Sequence, residues 1–125
     1  MLNYRDLEIY VEANRLAIEV HTMSLALPKF ELYETGSQVR RSSKAVAAMI
    51  VEGYGRRRYK LDLIKHLIYA IAECDETIVH LDALYETHSL ANSELYLELK
   101  NPYVTLTKRI NKYTQCVERE YNPPT

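Results

Sequence analysis

The stretch VEGYGRRRYK, residues 51–60, gathers the side chains best suited to meet an anion: Arg56, Arg57, Arg58 and Lys60, directly after Gly53 and Gly55. Three chemistries use such a combination. A phosphate cradle needs glycine followed by Gly-Lys-Ser/Thr at fixed spacing, or a third glycine placed after a strand, and neither is present. A nucleic-acid surface needs cations for phosphates and rings that stack on bases, and Tyr54 and Tyr59 bracket the run. A turn between helices needs only a glycine to release the chain, with its charges in water. Arg40, Arg41 and Lys44 form a second basic group about 20 Å away along the preceding helix. One small ligand cannot touch both groups, whereas a nucleic-acid strand or a ring of subunits can.

Metals and nucleophiles need other arrangements. A di-iron bundle site takes Glu-x-x-His from two helices and a glutamate from each of two more. Glu73, Glu76 and His80 share one helix side, but that pair of motifs is missing, and His21, His66 and His88 are scattered. No metal and no cofactor is implied. Serines, histidines and acids are present without a motif that fixes them as a catalytic set. Cys74 and Cys116 fall on apolar helical stripes and read as buried, reduced thiols. No catalytic residue is therefore assigned, and the chain does not read as an enzyme.

Long helices must position these side chains. Only 3 glycines and 4 prolines punctuate the 125 residues, too little turn chemistry for many short strands. With 47% hydrophobic and 26% charged residues, residues 1–125 make one globular domain with a core of its own. The opening MLNYRDLEIY carries acids and no signal-like apolar run, and no stretch is long and apolar enough to span a membrane. A cytoplasmic location is expected. The net charge of −1 hides a basic block over residues 29–60 and an acidic one over 61–90.

The helical period predicts a first helix over 4–27 with two apolar stripes. One is Leu7, Val11, Asn14, Ile18, His21, Leu25; the other is Ile9, Ala13, Leu16, Val20, Met23, Leu27. Two stripes exceed what one core contact needs, so the second is expected to meet another subunit. A second helix over 37–52 should bury Val39, Ser42/Ser43, Val46 and Met49/Ile50 and stop at Gly53 as its C-cap. Its line Arg41, Ala45, Ala48, Glu52 has small residues between opposite charges and reads as a packing surface between subunits. A third helix over 59–85 carries an apolar band from Ile64 to Tyr85. A short helical piece over 93–100 is followed by a restart at Asn101–Pro102, and a last helix buries Tyr103, Leu106, Ile110, Tyr113, Val117 and Tyr121. The expectation is all-α: an antiparallel up-down four-helix bundle.

The segments YRDLEIYVEANRLAIEV, SQVRRS, IVEGYGRR and LIYAIAECDE together resemble the bacterial four-helix bundle proteins related to the 23S rRNA intervening-sequence protein. The likeness spans about residues 4–85, and the last helix follows only by pattern. Gln38, Arg40, Arg41, Ile50, Glu52, Gly53, Gly55, Arg56 and Glu76 stand where that family places these types. Ser42 and Ser43 depart from its alanines, Ala45 from its serine, and Met49 from its asparagine. Ile71 and Glu73 depart from an arginine and a serine, which lowers the basic charge of the third helix. The resemblance implies a ring-shaped homopentamer without enzymatic activity. A related branch, the accessory variability proteins of diversity-generating retroelements, is strongly basic and binds nucleic acid.

Two functions remain open. One is a homo-oligomer that binds RNA or DNA through Arg56, Arg57, Arg58 and Lys60, extended by Arg40, Arg41 and Lys44. The other is a structural or adaptor oligomer acting through protein contacts. A sequence pI near 6.4 argues against a general polyanion binder but not against a local patch repeated by symmetry.

Overall fold

The computed structural model describes residues 3–120. A 3-10 turn, Tyr4–Asp6, leads into α1, Glu8–Leu25; a second, Lys29–Leu32, precedes α2, Thr35–Gly55; then come α3, Lys60–Glu86, and α4, Ser93–Glu120. The predicted first helix is therefore broken near its start. Asn3 and Asp6 form a reciprocal capping box, and Leu7 is extended before the chain re-enters helix. Tyr121, expected on the last helix's apolar face, lies outside the described residues.

Two punctuation signals work differently from expectation. α2 continues past Gly53 to Gly55, and neither glycine has a positive φ. Gly53 is buried, and a Cβ on it would come within 3.0 Å of the His66 Cβ and 3.3 Å of a Leu63 methyl, so it allows close approach of α3. At the other end of α2, a Cβ on Gly36 would strike the Glu31 carbonyl oxygen at 2.3 Å. α4 runs unbroken through Pro102, so no restart occurs at Asn101. Its cap is Asn92, whose Oδ1 accepts the Leu95 N–H at 3.1 Å. Proline cannot supply an N–H to the carbonyl four residues back, and that residue, Glu98, is exposed, where water can serve instead.

Each helix packs on its sequence neighbours, and α4 also closes on α1. Pairings across the contacts run early to late: Arg41 with Glu76 and Glu52 with His66 between α2 and α3, Lys60 with Glu118 and Asp82 with Lys100 between α3 and α4. Among the described residues the backbones of α1 and α3, and those of α2 and α4, do not approach closely, as expected of diagonal pairs in a bundle. The core combines Leu16, Val20, Val46, Ile50, Leu67, Leu81, Leu106 and Ile110. Burying each aliphatic chain of this kind contributes roughly 1.5–3 kcal/mol. A polar layer crosses that core. Ser42 and Thr77 hydroxyls hydrogen-bond at 2.8 Å, and Thr77 also donates to the Glu73 carbonyl at 2.9 Å. The two serines at the family's alanine positions are thus both buried, Ser43 donating to the Arg40 carbonyl at 3.1 Å.

Candidate functional site

The basic run lies where α2 ends and α3 begins, and its cations differ in what they can still bind. Arg57 places its guanidinium over the Tyr54 ring, 4.1 Å from the centroid, and donates to the Tyr54 carbonyl at 2.9 Å. Arg56 faces Asp62 across 3.8 Å. Lys60 donates to the Glu118 carbonyl at 2.7 Å, a cation at the negative end of the α4 dipole. Arg58 is exposed and has no ion pair among the described residues. Tyr59 is exposed beside it.

The second basic group divides in the same way. Arg40 bridges three segments, donating to the Ser24 hydroxyl at 3.0 Å and the Leu32 carbonyl at 2.7 Å. It fastens the start of α2 to the end of α1 and to the turn between them. Arg41 pairs with Glu76, and Glu76 also faces His80 at 3.5 Å. Lys44 is exposed and lines a shallow cavity of about 380 Å³ with Asn14, Ile18 and His21. In the line Arg41, Ala45, Ala48, Glu52, both charged ends have partners on α3, since Glu52 faces His66 at 3.6 Å. Ala45 is half-buried and Ala48 exposed between them.

The fold sorts charge by end. The end that holds the α2–α3 turn carries Arg56, Arg57, Arg58, Lys60 and Lys65, with Arg5 ahead of α1 and Lys108, Arg109, Lys112 and Arg119 from α4, against Asp6, Glu8, Glu12, Glu52, Asp62, Glu118 and Glu120. The other end carries Glu31, Glu34, Asp75, Glu76, Asp82, Glu86, Glu94 and Glu98 against Lys29, Arg40, Arg41, Lys44 and Lys100. Antiparallel packing splits the basic block of residues 29–60 between the ends: its turn joins the cations of α4 at a net basic end, and its first four cations meet an excess of acids at the other.

Two apolar stripes face solvent. On α1 Val11, Ile18 and Leu25 are each more than half exposed, while the other stripe of that helix, Ile9, Ala13, Leu16, Val20 and Met23, fills the core. On α3 Leu61, Ile68 and Val79 are likewise more than half exposed, with Tyr69 beside them. The apolar band expected on α3 includes Ile68, which instead faces solvent. The available signal was the interval Leu61, Ile68, Val79, seven and eleven residues, which winds to a separate side of the helix.

Among the described residues no three His, Cys, Asp or Glu side chains come together as a metal cage. Cys74 is buried, and burial pushes its thiol up to about 12, far from a reactive thiolate. Cys116 corrects the expectation of two buried thiols: it is exposed, on the solvent side of α4. No described helix is long and apolar enough to cross a membrane.

A family model described as 23S rRNA-intervening sequence protein matches residues 5–112. No curated protein matches the chain. Among solved structures, a protein of unknown function from the S23 ribosomal protein family of Bacteroides thetaiotaomicron VPI-5482 superposes with a TM-score of 0.74 at 21% identity. The match covers 86% of this chain and 98% of that one, and at such identity it is a likeness of fold. The family match takes in α1, α2, α3 and most of α4, with both basic groups and both apolar stripes; the chain belongs to the 23S rRNA-intervening sequence protein family.

Proposed function

We propose that this protein is a non-catalytic assembly module whose copies join through the apolar stripes of α1 and α3. The observation that carries the reading is that the stripes lie on the solvent sides of two diagonal helices whose backbones do not approach closely. Two different patches facing away from one another cannot both be buried by a single two-fold contact. They are buried when the α1 stripe of one copy meets the α3 stripe of the next, a head-to-tail contact that forms a ring if the rotation closes. Five copies is the number the family resemblance implies. The line Arg41, Ala45, Ala48, Glu52 borders the α2–α3 seam, and its charged ends are occupied within the chain, so it is secondary to the two stripes.

A second reading, that the assembly binds RNA or another nucleic acid, is favoured by the segregation of charge to one end of the bundle. A ring would bring the basic ends of its copies around one axis, multiplying a patch that is modest in one chain. The family's name points to ribosomal RNA as a first probe.

Light scattering tests the assembly. The wild-type chain should run well above its 14.6 kDa, and Ile18→Glu or Ile68→Glu alone should reduce it to small species. Each variant keeps one intact stripe, so mixing the two should yield a heterodimer and nothing larger. A monomeric wild type sinks the proposal; so does a mixture of the variants that stays monomeric.

A further inference from the structure

α4 has a face that neither the core nor the proposed subunit contact uses. Between Glu98 and Glu118 the helix holds no acidic residue, while Lys100, Lys108, Arg109 and Lys112 stand in that interval. Two of these are engaged within the chain, Lys100 with Asp82 at 3.0 Å and Arg109 with Glu8 at 3.1 Å. Lys108 and Lys112 are exposed and have no ion pair among the described residues, and the same holds for Arg119, about one turn beyond Gln115. Lys108, Lys112, Gln115 and Arg119 follow at alternating steps of four and three, which puts them on one side of the helix. Glu118 and Glu120 flank Arg119 in sequence but project to either side of that line.

The rise of the helix sets Lys108 and Lys112 about 6 Å apart and Lys112 and Arg119 about 10 Å apart. Those steps match roughly two and three phosphates of one strand, at about 3.4 Å per phosphate along a duplex axis. The composition fits a sugar-phosphate backbone better than a protein or a membrane. Lysine and arginine neutralise phosphates and an amide donates to them, whereas a protein partner calls for an apolar centre and a membrane for an apolar face beside the charges. The stripe also leads into the basic turn, because the Lys60–Glu118 contact fastens the last turns of α4 to the start of α3. Among the described residues only Arg58 of the turn's arginines lacks a partner, so α4 supplies more free cations than the motif that stands out in the sequence.

We propose that the solvent face of α4, through Lys108, Lys112 and Arg119, is the surface along which this protein binds a nucleic-acid backbone, with the basic turn as its end stop. This rests on the nucleic-acid reading above and assigns its residues. The experiment is fluorescence anisotropy with a labelled 20-nucleotide single-stranded RNA of mixed sequence and the matching DNA, across a sodium chloride series. The triple variant K108Q/K112Q/R119Q, with assembly size checked by light scattering, should bind at least about tenfold more weakly near 0.1 M salt. Its log–log salt slope should be flatter by about two, since each single-strand phosphate contact contributes about 0.7. R56Q/R57Q/R58Q should lose less. RNA and DNA weakening together supports backbone contact; loss on RNA alone, through the ribose hydroxyl, overturns it. Unchanged affinity in the α4 variant alongside loss in the turn variant moves the site to the turn and overturns the inference while the nucleic-acid reading survives. A wild type that binds neither probe at low salt removes both, and a variant that falls apart would make the face a subunit contact instead.

Discussion

Glu73 sits half-buried on α3 with its Oε2 sealed from solvent and unpartnered among the described residues. Burial pushes its pKa above the ordinary 4.5, the negative charge of Glu76 adds to that, and Arg41 and His80 only partly oppose it. A carboxyl whose folded pKa lies above its unfolded value contributes stability that is complete below the unfolded pKa and lost as pH rises through the folded one. Glu73→Gln should therefore raise the melting temperature at pH 7 by up to about 4 °C. The gain should shrink towards zero near pH 3, where Glu73 is protonated in both states. Equal melting at pH 7, or a gap that widens in acid, would show that the carboxylate is better accommodated than its surroundings suggest. Glu12 works with the opposite sign, because the hydrogen bond from Arg15 lowers its pKa, so its contribution is present at neutral pH and lost in acid.

At the scale of the helix, Gly53 and Gly55 look alike in the sequence and are opposite in the bundle. Gly53 faces α3, with no room for a side chain, whereas a Cβ on Gly55 would meet nothing within 4 Å. Gly53→Leu should destabilise the fold by roughly 1–3 kcal/mol through overpacking, and Gly55→Leu by about 0.5 kcal/mol or less. Urea unfolding of the two variants decides it, and equal midpoints would show that α2 and α3 do not approach as described. The helices themselves were legible because the spacing of apolar residues along each one is local. Their ends were less so. Glycine serves both caps and close approaches, and at Gly53 only Leu63 and His66, on the next helix, distinguish the two uses. The end of α3 carried no such sign: His88 makes the left-handed exit there, at φ 68°, and the Leu90 N–H returns to the Leu84 carbonyl at 2.9 Å. Asn101–Pro102 resembled a start, while the true cap, Asn92, was hidden in what read as a connecting segment.

Over the whole molecule, the candidate site was legible as a set of cations but not as a surface. Whether Arg40 reaches outward depends on Ser24 and Leu32, and whether Lys60 does depends on Glu118, contacts that exist only once the helices are side by side. The cations of α4 are not consecutive in the sequence; the helix aligns them, while Asp6 and Glu8 line the same cavity as Lys112. The same assembly of helices placed the two cysteines in unlike surroundings, Cys74 inside and Cys116 outside. The native chain should accordingly consume one equivalent of a thiol reagent at once and a second only when α3 separates from its neighbours. The slow phase then measures how often the bundle opens: with weak reagent its rate follows the opening equilibrium, and with strong reagent it levels off at the opening rate itself. Two fast equivalents would mean that Cys74 is not enclosed. One fast and one slow would give the protein an internal clock for its own unfolding, readable without any label or substitution.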